Sequence, residues 1–296
     1  RGQHSWVIVQ STERDEELPD HLAIDKAISL LEKRAQEDSP FFLAVGLVRP
    51  HFPFVAPKAE FDAYPVEEMS LPAVSPEQLK KVPPQSLSKD LNIGQEERQE
   101  ILQAYYACIT YMDRQVGRLL ESLDNFGLRE NTIIVFVSDH GYLLGEHLSW
   151  KKKLLWEEAT RVPLIIAAPG QQHTGTRSEH LVELVDLYPT LTELAGIPPQ
   201  PAAQGLSLKP LIADPENGRL AREDALTQTT NAQGLRLGKW AYMWYPKFRK
   251  HPAGATLYDM EKDPGQRNNL ATNPEFSEIR QRLHDRLMER LEMAKR

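Results

Sequence analysis

The chain of 296 residues contains one cysteine, Cys108. A lone thiol excludes an intrachain disulfide framework and any site built on several thiolates. No stretch approaches the ~18–20 consecutive apolar residues that a membrane-spanning helix needs, so no span is expected. A basic excess is lacking too: Lys plus Arg number 35 against 42 Asp plus Glu, a formal charge of −7. A nucleic-acid or anionic-membrane partner is therefore not expected, and any affinity for polyanions has to be local. There is no internal repeat and no low-complexity tract. Residues 1–6 offer neither a Met start nor the apolar core of a signal peptide, the look of a chain processed, truncated or excerpted from a longer one. What is present is ordinary for a globular protein, with 41% hydrophobic and 26% charged residues. The length suits two domains, or one large α/β domain with an appendage.

Periodicity supplies the organisation. Residues 18–36 carry Leu22, Ala23, Ala27, Leu30 and Leu31 at amphipathic-helix spacing, with Pro19 and Asp20 at the start. Residues 41–47 form a short continuous apolar run, which predicts a central parallel strand covered on both faces. From Pro50 to Ile93 there are eight prolines, too many for regular elements, so a long surface excursion is expected. Over residues 96–126 one stripe, Ile101, Tyr105, Cys108, Ile109, Met112, Val116, Leu119, Leu120 and Leu123, predicts a long helix that Gly127 stops. Cys108 lies on that stripe as core. Residues 132–137 are a β-branched run ending abruptly on Ser138-Asp139-His140-Gly141, and residues 162–168 read as a third buried strand. A helix is expected over 179–194. This alternation implies an α/β fold, a mostly parallel sheet flanked by helices over residues 1–215. Residues 216–296 change pattern, with an aromatic-rich segment at 234–245, a strand-like one at 255–260 and a last amphipathic helix at 274–294. They predict a smaller antiparallel sheet plus helix.

In open α/β sheets ligands gather beyond the carboxyl ends of the strands. Two segments sit there. His51 follows the run 41–47, framed by Pro50 and Pro53, and Asp139 and His140 follow the run 132–137. An adjacent carboxylate and imidazole can both reach one cation. A histidine among prolines is more often a packed loop residue, and Lys151, Lys152 and Lys153 read most simply as a solvated face. Glu146 and His147 fit either a supporting layer or a loop cap, and Trp150 and Trp156 fit packing.

The residues together carry a resemblance. Ala104-Tyr105-Tyr106-Ala107, the run from Tyr111-Met112-Asp113-Arg114 to Leu119-Leu120, Ser138-Asp139-His140-Gly141, Gly145-Glu146-His147, Trp150, Lys152 and Arg161-Val162-Pro163-Leu164-Ile165 resemble the sulfatase family of the alkaline-phosphatase superfamily in order and spacing. Ser39-Pro40-Phe41-Phe42 through Arg49-Pro50-His51-Phe52-Pro53-Phe54 is most similar to the iduronate-2-sulfatase branch. Leu257-Tyr258-Asp259-Met260, Asp263-Pro264 and Asn269-Leu270 resemble the family's C-terminal subdomain. The resemblance implies an alkaline-phosphatase-like fold and hydrolysis of sulfate esters on a sulfated sugar or glycosaminoglycan. It implies a divalent cation, usually calcium, held in part by Asp139 and His140. It assigns His51 to sulfate contact and protonation of the leaving alcohol, Lys152 to the bridging ester oxygen, and His147 to the substrate beside them. It also implies a secreted, periplasmic or lysosomal location.

The family's nucleophile is a formylglycine made within a Cys/Ser-x-Pro-x-Arg motif, and that motif does not occur in these 296 residues. Cys108, followed by Ile109-Thr110-Tyr111-Met112, cannot supply it. The early aspartate pair and the Lys and His flanking the nucleophile are not matched either. The expectation is a match to the last two thirds of a sulfatase, partnered by a missing N-terminal segment and inactive alone. Two other readings stand beside it: a phosphodiesterase or phosphonate monoester hydrolase of the same superfamily, and a degenerate binding module without catalysis.

Overall fold

The stripe on the longest helix organises the first part of the chain. A computed structural model describes residues 6–11, 15–88 and 93–295. In chain order its regular elements begin with β1 (Ile8–Ser11), α1 (Pro19–Arg34), β2 (Phe54–Pro57), α2 (Lys58–Asp62), α3 (Pro76–Leu79) and α4 (Gln95–Asn125). They continue with β3 (Ile134–Val137), α5 (Glu157–Thr160), β4 (Leu164–Ala167), α6 (Leu187–Leu194) and α7 (Lys209–Ala213). Last come β5 (Asp224–Thr229), β6 (Ala232–Leu237), β7 (Trp240–Tyr245), β8 (Gly254–Asp259) and α8 (Ser277–Met293). No helix is long and apolar enough to cross a membrane among the described residues. Two compact units result, one from Arg1–Pro72 and Asp90–Thr132, the other from Ala73–Lys89 and Ile133–Arg296. The pattern change expected at 215/216 falls inside the second.

In the first unit α1 and β2 pack on α4, and β1 pairs parallel with β2. The buried face of α4 runs through Ile101, Ala104, Ala107, Cys108, Tyr111, Gln115, Ser122 and Leu123. It is turned from the expected stripe, for Ile109 is 37% exposed. Ala104 and Ala107 explain the turn, because small side chains let neighbouring elements approach closely. The excursion after Pro50 is more regular than expected, since β2 and α2 lie within it. Its strand tolerates Pro57 because β2 pairs with β1 alone among the described residues, and proline is accepted on an edge strand. Residues 41–47 form no strand; they alternate between half-buried and exposed, and no ladder pairs them among the described residues.

In the second unit β3 and β4 pair antiparallel, Ile134 opposite Ala167 and Val137 opposite Leu164. This corrects the expectation of parallel strands for this pair, and Ile165, 62% exposed, shows that β4 is not buried throughout. The helix expected over 179–194 is ordered as α6 only for its last two turns, after a 3₁₀ turn at Leu184–Asp186. The C-terminal expectation holds: β5-β6-β7-β8 form an antiparallel sheet in sequence order, closed by α8. Strand alternation splits β7 between two cores. Ala241, Met243 and Tyr245 pack with Leu143, Leu154, Leu155 and Trp156, while Tyr242 packs with Leu235, Leu257, Leu283 and Leu287. The first of these cores places the loop after β3 on a rigid floor.

A buried ion network fastens α8 to β5. Arg290 bonds the carboxylates of Asp224 and Glu183, Arg286 Nε donates to Asp224 Oδ2 at 2.6 Å, and Arg222 bonds Asp186 and Glu183. Three acids meet three guanidinium groups, so the charges balance where water is scarce.

Candidate active site

Past Val137 the chain turns at Ser138, whose Oγ donates to the carbonyl of His140 at 2.9 Å. Asp139 Oδ1 accepts from the His140 N–H at 3.0 Å, and Oδ2 lies 3.4 Å from His140 Nε2. The Asp139 side chain is 84% exposed and that of His140 35%. His140 Nδ1 is 2.8 Å from the carbonyl of Gly141. A ring backed in this way by a carbonyl keeps its other nitrogen, here beside the Asp139 carboxylate, free to bind a cation, the usual preparation of an imidazole ligand. Gly141 N–H donates to Ala159 O at 2.9 Å, and a Cβ at 141 would stand 2.0 Å from the Glu158 carbonyl oxygen. Only glycine fits that approach.

Residues 143–151 then form a tight excursion closed by Leu143 N–H to Lys151 O and Gly145 N–H to Ser149 O, both 3.0 Å. Gly145 takes φ +113°, and His147 and Leu148 have φ 53° and 51°. Lys152 follows directly and is half-buried, whereas Lys153 is exposed. The Lys151 ammonium is partly desolvated, which lowers its pKa.

His147 was expected at the substrate. Its ring stacks on Trp156, 3.7 Å between centroids, with a side chain 10% exposed. Trp156 is itself held by its Nε1–H to Ser86 O at 2.8 Å. His147 Nε2 lies 4.0 Å from Glu158 Oε2, and neither atom has a hydrogen-bond partner among the described residues. Burial lowers the His147 pKa from 6.5 to about 4 and raises that of Glu158, where the charges of Glu146 and Glu157 add to the effect. At 4.0 Å attraction does not offset desolvation, and the imidazole is neutral at neutral pH. The stack on Trp156 fixes the orientation of the His147 ring.

His51 belongs to the first unit. Its Nδ1 lies 2.5 Å from the carbonyl of Phe52, so that nitrogen carries the hydrogen and Nε2 is left for proton exchange. The loop is held by two residues that periodicity did not single out. Asp20, buried at the start of α1, accepts from Val48 N–H at 2.7 Å and Arg49 N–H at 3.0 Å. Arg49 donates through Nε to Val55 O at 2.8 Å and through Nη1 to His51 O and Pro53 O, each at 3.1 Å. The available signal was Asp20 in the first turn of a helix, read only as a start signal, and Arg49 beside two prolines. Phe52 and Phe54 add edge contacts with Trp6 and Tyr105.

Cys108 is fully buried, and burial raises its thiol to about 12. A thiol so protonated is no nucleophile. For a metal, Asp139 and His140 offer one hard oxygen and one backed imidazole. That donor set fits part of a divalent-cation shell, which for calcium needs six to eight ligands. No cluster of three or more His, Cys, Asp or Glu suited to a metal occurs among the described residues.

Comparison with known proteins gives these features a relationship. The family model described as Sulfatase matches residues 5–197, and that described as N-sulphoglucosamine sulphohydrolase, C-terminal, matches residues 145–293. A sulfatase of Formosa agariphila is 34% identical over 276 residues, 89% of this chain and 52% of that protein. Iduronate 2-sulfatase of Homo sapiens is 39% identical over 227 residues, 62% of this chain and 41% of that protein. A phosphonate monoester hydrolase from Silicibacter pomeroyi has a similar structure, TM-score 0.83 at 23% identity over 98% of this chain and 65% of that one. The chain spans about half the length of the curated relatives it matches.

Proposed function

The chain belongs to the sulfatase family and has its alkaline-phosphatase-like α/β fold, and from that premise we propose that the whole protein hydrolyses sulfate esters on a sulfated saccharide. The observation that carries this reading is the exposed Asp139 carboxylate beside the backed His140 ring, on a loop braced by Gly141 and Trp156. The similarity to iduronate 2-sulfatase supports a sugar carrier, with a sulfated uronic acid or a glycosaminoglycan as the substrate class.

In this reading Asp139 and His140 hold one side of a divalent cation, calcium by expectation, which would neutralise charge on the bound sulfate. The nucleophile, a formylglycine, is supplied by an N-terminal segment beyond this chain, and the 296 residues alone are inactive. Lys152 places an ammonium at the bridging oxygen, where negative charge builds as the S–O bond breaks. His51, in its doubly protonated form, is the expected donor of an Nε2 proton to the departing alkoxide, so that an alcohol leaves. His147, its ring held against Trp156, is the remaining residue expected at the substrate. A location outside the cytoplasm, secreted, periplasmic or lysosomal, goes with such a substrate.

The test is turnover of an aryl sulfate and the matching aryl phosphate by the full-length protein. Preference for sulfate supports the proposal. Preference for phosphate or phosphonate esters would favour the hydrolase resembled in fold, and turnover of neither would leave a binding module.

A further inference from the structure

We propose that Arg49 and Asp20 are positioning residues for proton transfer by His51, and that Arg49 is not an anion-binding residue. The inference rests on the reading of His51 as the proton donor and deepens it.

An arginine two residues before a proton-donating histidine would ordinarily be taken for a sulfate ligand, because a guanidinium matches an oxyanion. Here Nε and Nη1 of the guanidinium are already engaged. Three carbonyls within seven residues, those of His51, Pro53 and Val55, accept from its Nε and Nη1. The last of them lies in β2, whose register with β1 pairs Ile8 with Phe54 and Val9 with Val55. Arg49 therefore ties the His51 backbone to a strand. On the other side the Asp20 carboxylate, 2% exposed, takes the N–H groups of Val48 and Arg49 and anchors the same segment to α1. His51 N–H closes the turn on Val48 O at 2.8 Å. Between these two anchors the carbonyl of Phe52 fixes the ring through Nδ1. The chain holds the His51 main chain from both sides, and the ring has one nitrogen left to act.

The physical consequence is selective. When the S–O bond breaks, the electron pair stays on the bridging oxygen, and that oxygen needs the proton from His51 Nε2 only if the departing alcohol is strongly basic. A sugar alkoxide needs it; a nitrophenolate does not. A displaced His51 therefore harms sugar sulfates and spares aryl sulfates, whereas loss of an anion ligand harms both.

The experiment measures kcat/KM of full-length protein for nitrophenyl sulfate and for a sulfated monosaccharide, with wild type, Arg49→Lys, His51→Ala and the double variant. Lysine keeps the charge but loses the planar fork. We expect Arg49→Lys to lower kcat/KM about 100-fold on the sugar sulfate and less than about 3-fold on the aryl sulfate, the size of effect that a displaced catalytic group produces. His51→Ala should give the same selectivity, and the double variant should be no worse than His51→Ala. An equal loss on both substrates in Arg49→Lys, or a rise in KM alone, overturns the positioning role while His51→Ala keeps its selectivity. If His51→Ala itself shows no selectivity, the proton-donor reading falls and the inference with it. Should Arg49→Lys not fold, Asp20→Asn is read on the same pair of substrates, and equal losses there overturn the proposal.

Discussion

Protonation of His147 gives a perturbation whose size follows from the fold. The ring is stacked on Trp156, and burial holds its pKa at about 4 against an ordinary 6.5. The unfolded chain takes up this proton near pH 6.5, the folded one only near pH 4. Between the two the unfolded state binds more protons, so stability is greatest above 6.5 and is lost as the pH falls toward 4. From about pH 7.5 to about pH 5 the ring alone removes about 2 kcal/mol. Glu158 acts with the opposite sign: burial raises its pKa, so its contribution is present at low pH and lost as the pH rises. Asp263 and Arg267 also act on the ring and oppose one another. His147→Asn removes the imidazole, keeps Glu158, and suits the backbone, because asparagine tolerates the observed φ of 53°. Losing the stack costs stability at both pH values and cancels in the comparison. In denaturant unfolding the wild type should lose about 2 kcal/mol more than the variant over this interval. Equal losses would mean that the ring titrates as an exposed histidine, and the covered stack would be refuted.

Gly141→Ala should lower stability by about 2–3 kcal/mol, because the new Cβ meets backbone and not a movable side chain; an unchanged melting temperature would contradict the close approach. Arg290→Ala leaves the buried carboxylates of Asp224 and Glu183 short of a partner and should cost about 3–5 kcal/mol in unfolding experiments, against a much smaller loss for exposed Lys295→Ala. In the full-length protein Lys152→Ala should lower kcat more than it raises KM, with Lys151 and Lys153 mattering less. Equal effects of all three would indicate a diffuse basic patch. Calorimetry on this chain alone should find calcium bound at roughly 10⁻⁴ M or weaker, since two ligands leave most of the shell to water; tight stoichiometric binding would mean that ligands were missed.

The long helix, the C-terminal sheet and the loop after β3 were legible because each has a strong local signal. Buried periodicity marks α4, an aromatic-rich segment marks β7, and an ionisable pair ends an apolar run at Asp139. Residues 41–47 were misread because an apolar run shows burial but not partners, and a strand is defined by its neighbours. The direction of β3 against β4 was equally hidden, since both directions share the same side-chain pattern. Asp20, Arg49 and Trp156 act through backbone carbonyls and N–H groups of residues far from them in sequence or around a proline turn. Nothing in residue type alone announces such contacts. For His147 the sequence left a supporting layer or a loop cap open, and its stack on Trp156 became visible only in three dimensions.

Release of inorganic sulfate from a sulfated uronic-acid oligosaccharide by the full-length protein, compared with its Asp139→Ala variant, bears on the proposed activity without intermediates. Stoichiometric sulfate release by the wild type, reduced by at least about 100-fold in the variant, is the expected result. No release by the wild type, or release unaffected by the substitution, would contradict it.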